Sequence, residues 1–147
     1  MTDCCPNSYW HIGFLTWMHN GDLVRINQGR YITYVDRKKD MINTGGENVY
    51  SFEIEEVLRR HDAVAEVAVI GIPDEKWGET VKALVILKPG KKSTQEELIS
   101  HCRSHVAGFK YPNSVEFCAS FPWTGLGKVA KNELRDEYWK GYDRKVH

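Results

Sequence analysis

Lys128 ends the segment Pro122-Trp123-Thr124-Gly125-Leu126-Gly127-Lys128, a glycine-flexed loop just ahead of a predicted helix. A lysine on such a loop can reach away from its own domain and bring positive charge to a phosphate or carboxylate held by another surface. The spacing is not the Gly-x-x-x-x-Gly-Lys-Ser/Thr of a nucleotide-cradling loop, so Lys128 is not a Walker lysine. Taken alone, a Gly-x-Gly-Lys turn is more often a plain solvent-exposed loop. Two aromatics also stand beside a positive charge. Trp77, between Lys76 and Gly78, falls in a predicted loop where an exposed indole could stack on an adenine base, although a partly buried loop tryptophan fits equally well. Phe109-Lys110 repeats the theme, and the two pairs could line one groove. His101 and His105 have the four-residue spacing of a helical metal pair but lack a third ligand nearby, which favours an ordinary amphipathic helix. There is no Gly-x-Ser-x-Gly elbow, so triad hydrolysis is disfavoured.

The elements that must position these residues follow from pattern. Leu23 to Ile26 and Tyr31 to Val35 read as a hairpin around the turn Asn27-Gln28-Gly29-Arg30. Next come five consecutive charges, Asp36-Arg37-Lys38-Lys39-Asp40, which are expected to stay out of a core and to mark a boundary where a hinge could sit. Thr44-Gly45-Gly46-Glu47-Asn48 is turn-prone, with glycines that permit positive φ and leave the backbone open to close approach. Ser51 is placed to cap a helix through about Arg60. Val64 to Ile72 alternates poorly and is valine-rich, as in a buried strand. After a loop, Pro73 to Gly78, a second strand runs from Val81 to Leu87. Ser93 and Glu96 have capping-box spacing ahead of a helix bearing Leu98, Ile99, Cys102 and Val106. A strand from Val115 to Phe121 and a helix from about Val129 to Trp139 complete the order. The fold expected is α+β, a small and mostly antiparallel sheet flanked by helices and preceded by a β-hairpin.

Composition narrows the function classes. The chain has 147 residues, 41% of them apolar, enough for one domain with a real core plus an extra segment. Twenty basic and twenty acidic residues cancel, so no net field draws nucleic acid or an anionic membrane, and any anion site must be local. Lys91-Lys92 and Arg144-Lys145 are too short for a nucleic-acid patch. Cys4, Cys5, Cys102 and Cys118 show no Cys-x-x-Cys spacing, which argues against zinc and a disulfide scaffold and for reduced thiols in the cytoplasm. No apolar run approaches the ~20 residues of a spanning helix, and the N-terminus has no signal-peptide order.

Gly21-Asp22, Asp36-Arg37-Lys38-Lys39-Asp40-Met41-Ile42, Gly45-Gly46-Glu47-Asn48 with Glu53-Ile54-Glu55, Trp77-Gly78, Phe109-Lys110 and Gly127-Lys128 together resemble the C-terminal portion of acyl-adenylate-forming enzymes, nearest the acyl-CoA synthetases. The likeness runs from about Gly13 to Arg135, in the family's order. It implies a carboxylic acid activated by ATP to an acyl-adenylate, rotation of a small C-terminal lid, and thioester formation by CoA. It also implies residues 1–12 unassigned, 13–37 the end of a large adenylation domain, 38–40 a hinge, 41–140 the lid and 141–147 a tail. By the same resemblance Asp22 would hold the ribose hydroxyls of ATP, with Arg37 near that nucleotide. Lys39 would be the pivot, and Lys128 would bridge the acid carboxylate and ATP as the catalytic lysine. Gly45 and Gly46 would lie against the pantetheine tunnel, Trp77 would stack on the CoA adenine, and Phe109 and Lys110 would line its nucleotide end. Mg is expected on the large N-terminal domain, which the family needs for ATP and acid binding and which is missing here, so the isolated chain is expected not to adenylate. The alternative is a stand-alone, non-catalytic module that keeps the lid fold and binds CoA or a protein. Three departures from the family pattern bear on the sites: Asn20 precedes Gly-Asp in place of threonine, Trp123 replaces a basic residue in the lysine loop, and Tyr111 and Asn113 stand where related ligases often carry basic residues for CoA phosphates.

Overall fold

The computed structural model describes residues 10–12, 15–17 and 21–142. The chain divides between Lys39 and Asp40 into two compact units.

The first unit holds two antiparallel hairpins. Strand β1 (Trp10–Ile12) pairs with β2 (Leu15–Trp17), in a stretch with no sequence-based expectation of strand. Strand β3 (Asp22–Ile26) pairs with β4 (Ile32–Arg37). The expected hairpin is present but reaches further into the charge run, because Asp22 and Arg37 face each other across the ladder. Arg30 holds the turn with a φ of 59°, the left-handed conformation that usually falls to glycine.

The second unit is built on one sheet. Strand β5 (Ile42–Thr44) and β6 (Glu47–Val49) form a hairpin; β7 (Val64–Asp74) and β8 (Gly78–Leu87) form a long one; β9 (Ser114–Phe117) runs parallel to β8. With β7 along one edge of β8, both β9 and the end of β5 share the other edge. Helices α1 (Ser51–Arg59) and α2 (Gln95–Arg103) cover one face, where Ile54, Leu58, Leu98 and Cys102 meet Val67, Val69, Ala83 and Val85. Helix α3 (Lys131–Tyr138) covers the other, where Leu134 and Phe121 meet Ala68, Ile70 and Leu84. Consecutive residues of β7 thus enter opposite cores, which is why the run from Val64 shows no polar alternation. The architecture is the expected α+β sandwich.

Several boundaries differ from expectation for local reasons. Ser51 does not cap α1: it is the first helical residue, fully buried, and its hydroxyl accepts a hydrogen bond from Lys131 Nζ at 2.9 Å. The capping box of α2 sits one residue on, at Thr94 and Glu97, with Ser93 donating to the same Glu97 carboxylate at 2.9 Å. Strand pairing fills half of the expected loop Pro73 to Gly78, leaving residues 75–77 as the turn. Strand β9 stops at Phe117, and Phe121 turns into the second core instead. Helix α3 starts at Lys131 because Val129 is bridged to Trp123. The charge run is not wholly outside the core either, since Asp36 and Asp40 are 3% and 9% exposed.

Candidate active-site surface

Two hairpin tips stand side by side in the second unit. At the β5–β6 tip, Gly45 and Gly46 take φ values of 60° and 88°, the positive values that a two-residue turn between right-twisted strands requires at both central positions. At the β7–β8 tip, Asp74 Oδ1 accepts hydrogen bonds from the Lys76 and Trp77 amides at 2.9 Å each, and Gly78 at φ 78° closes the turn. Thr44 pairs with Gly78, the Gly45 amide donates to the Trp77 carbonyl at 2.9 Å, and Glu79 accepts from the Asn43 amide at 3.2 Å. The tips are therefore locked together, bringing Gly45, Gly46 and Trp77 to one place. The Trp77 indole is 48% exposed, with Lys76 Nζ over its ring at 4.6 Å from the centroid, so the exposed reading of this tryptophan is the one the structure bears out.

Phe109 and Lys110 lie between α2 and β9. Phe109 is 48% exposed; Lys110 reaches back to Glu53 in the first turn of α1, at 2.8 and 3.1 Å. This lysine already has a carboxylate partner within the chain.

Lys128 sits on a third closed turn. Thr124 and Lys128 bond through the backbone at 2.7 Å, the Thr124 hydroxyl accepts from the Lys128 amide at 3.2 Å, and the Ala130 amide donates to the Pro122 carbonyl at 2.8 Å. The side chain is exposed, and among the described residues it belongs to none of the ion pairs. A rigid base carrying an unneutralised ammonium is suited to meeting an anion on another surface.

In the first unit, Asp22 and Arg37 form a partly exposed ion pair at 3.7 Å. Lys39 is the exposed middle residue of a single 3-10 turn, Lys38–Asp40.

A partly buried polar ladder along α3 and its C-terminal cap escaped sequence reasoning. Lys131 Nζ lies 2.6 Å from Glu55, which also accepts from the Val69 amide at 2.8 Å. One turn on, Arg135, 2% exposed, meets Asp40 at 3.3 Å. A further turn on, the Trp139 indole donates to the Gly71 carbonyl at 3.0 Å. The four-residue spacing of Lys131, Arg135 and Trp139 was the available signal, but their partners are too distant in sequence to read. The histidine pair does not share a helix: His101 lies on α2, with Nε2 at 3.0 Å from the Val57 carbonyl, while His105 falls in the turn just past its end, and among the described residues no cluster of His, Cys, Asp or Glu could hold a metal ion. No helix among the described residues is long and apolar enough to cross a membrane.

The chain is similar to known ligases. A feruloyl-CoA synthase from an Amycolatopsis species is 43% identical over 122 residues, covering 83% of this chain and 25% of that protein. A fatty acid–acyl-carrier-protein ligase from Streptomyces coeruleorubidus is 43% identical over 131 residues, covering 89% of this chain and 25% of its own. The crystal structure of ATP-bound MatB from Rhodopseudomonas palustris superposes with a TM-score of 0.77 at 36% identity, over 84% of this chain and 25% of that one. The chain thus spans about a quarter of the length of the curated relatives it matches. The AMP-binding enzyme C-terminal domain model matches residues 53–128, the stretch from the first turn of α1 to the exposed lysine, and the chain belongs to that family.

Proposed function

We propose that residues 41–140 are the lid of an AMP-forming acyl-CoA ligase, residues 13–37 the end of its large adenylation domain, residues 38–40 the hinge and residues 141–147 a tail. The observation that carries this reading is Lys128: an exposed, unneutralised ammonium on a turn closed at both ends. In the first half-reaction it bridges the acid carboxylate and ATP, stabilising charge that develops on the phosphate. Asp22 and Arg37 attend the ATP ribose and its surroundings, and Lys39 is the pivot. Rotation then withdraws Lys128 and brings the paired hairpin tips to the acceptor. Gly45 and Gly46 border the pantetheine path, Trp77 stacks on the adenine of CoA, and Phe109 and Lys110 line its nucleotide end. Magnesium travels with ATP on the large domain. The free thiols Cys102 and Cys118 suit the reducing cytoplasm, where ATP and CoA are both abundant.

The similarity to an acyl-carrier-protein ligase supports a second reading for the acceptor, because a carrier protein presents the same pantetheine thiol as CoA. Only CoA also carries adenine, and the half-exposed indole beside Lys76 favours it.

The test replaces the lid of a related ligase with residues 41–140 and follows pyrophosphate release and thioester formation separately. Lys128→Ala is expected to slow pyrophosphate release by about 10²–10³-fold, the usual cost of removing one transition-state donor. It is expected to leave thioester formation from preformed acyl-adenylate nearly intact. Unchanged pyrophosphate release in Lys128→Ala would refute the assignment. In the same chimera Gly46→Trp is expected to slow the thioester step selectively, and equal loss of both steps would sink the tunnel role.

A further inference from the structure

Gly45 and Gly46 share positive φ but not surroundings. A Cβ built on Gly45 would lie 2.6 Å from Trp77 Cε3 and 3.1 Å from Cζ3, whereas one built on Gly46 would meet nothing within 4 Å. The six-membered half of the indole therefore rests where any side chain at 45 would have to be. The same glycine donates its amide to the Trp77 carbonyl at 2.9 Å, so backbone and ring of Trp77 are both referred to this one residue. The ring is otherwise half exposed in a three-residue turn, where an indole has little else to fix its χ angles.

We infer that Gly45 is a positioning residue for Trp77: its missing side chain is the seat that holds the indole as a flat, preset platform for the adenine end of CoA, while Gly46 serves the turn alone at this point. The inference rests on the coenzyme reading of Trp77. It assigns the two glycines different work. Without ligand, Gly46 needs only the left-handed conformation, which asparagine also adopts at little cost, whatever its part beside pantetheine. Gly45 needs that conformation and an empty Cβ position.

Asparagine at each position separates the two demands. In the isotope-labelled chain the Trp77 indole N–H signal is identified by its loss in Trp77→Phe. Gly45→Asn is expected to move that signal, and Gly46→Asn to leave it in place. Adding Trp77→Ala to Gly45→Asn is expected to recover most of the thermal stability that Gly45→Asn loses, because the clash goes with the ring. If Gly45→Asn alone does not fold, recovery of folding in the double variant supports the seat just as well. An unmoved indole signal in Gly45→Asn, or no recovery in the double variant, would overturn the inference. Titration with CoA then addresses the ligand: shifts at Trp77 in the unaltered chain are expected, with a midpoint raised at least about fivefold in Gly45→Asn, as for loss of a base–aromatic stack. No shift at Trp77 with CoA would overturn the coenzyme reading itself. That failure is distinct from failure of the glycine–indole seat, which the ligand-free spectra measure alone.

Discussion

Burial decides the chemistry of Cys102, which lies fully enclosed between α2 and the sheet and whose thiol is pushed up to about 11 from its ordinary 9.0. At pH 8 that shift lowers the thiolate fraction roughly a hundredfold, and only the thiolate reacts. Iodoacetamide at that pH is therefore expected to leave Cys102 unmodified in the folded chain, with carboxamidomethyl label appearing there in peptide mass spectra only after denaturation. Rapid native labelling of Cys102 would show that α2 opens readily. Single residues whose chemistry is carried by their own neighbours in the chain were the most legible from sequence. The roles given to Lys128, Gly45, Gly46 and Trp77 come from the family resemblance, but the turns they occupy declare themselves. Lys131 and Arg135 did not, because nothing near them in the sequence marks the carboxylates they find, Glu55 and Asp40. Ser51 misled for the same reason: its hydroxyl has the type for a cap, but a lysine 80 positions away claims it.

At the scale of elements, existence was readable and boundaries were set by competition. The box ahead of α2 illustrates this: Ser93 and Glu96 have the right spacing, as do Thr94 and Glu97, and the chain uses the second pair. Thr94→Ala is accordingly expected to cost about 1 kcal/mol in urea unfolding, as for a lost helix cap, and Ser93→Ala only a few tenths. The reverse order would restore the earlier frame. The two-sided burial of β7 was hidden from a period-2 reading, since a strand that enters two cores has no polar face to alternate with. Helix α3 shows what positions the site. Its first turn follows the Lys128 turn directly, and its middle grips Asp40, the residue after Lys39. Arg135→Met leaves the Asp40 carboxylate buried without its guanidinium and is expected to cost about 3–5 kcal/mol. Arg135→Met combined with Asp40→Leu should cost clearly less than Arg135→Met alone, because no charge is then stranded. Strict additivity of the two changes would mean that the pair does not hold the helix.

Across the molecule, charge and core are distributed unevenly, and both inequalities are measurable. Glu116 joins three elements: Lys82 of β8 lies 2.8 Å from its carboxylate, and Tyr138 of α3 donates to it at 2.8 Å. The Lys82 hydrogen bond, followed by that of Tyr138, holds the carboxyl below its ordinary 4.5. A carboxyl depressed in the folded state contributes stability above its unfolded value and loses it as pH falls through the folded one. Glu116→Gln should thus flatten the fall in urea midpoint below about pH 4.5, and an unchanged slope would remove Glu116 from the acid response. The core is more lopsided still. Among the described residues, every member of both hydrophobic clusters lies at or beyond Ile42, whereas in the first unit Val24, Ile26, Ile32 and Tyr34 are 46–70% exposed on paired strands. A two-stranded hairpin with its apolar side chains in solvent has almost nothing to hold it, so stability must reside in the second unit. Residues 40–147 expressed alone are expected to unfold cooperatively, with a thermal midpoint within about 4 °C of the whole chain, the shift that ~1 kcal/mol would produce. A molten transition or a much lower midpoint would mean that the first unit completes the core, and the division at Lys39 would then no longer mark where the folding unit begins.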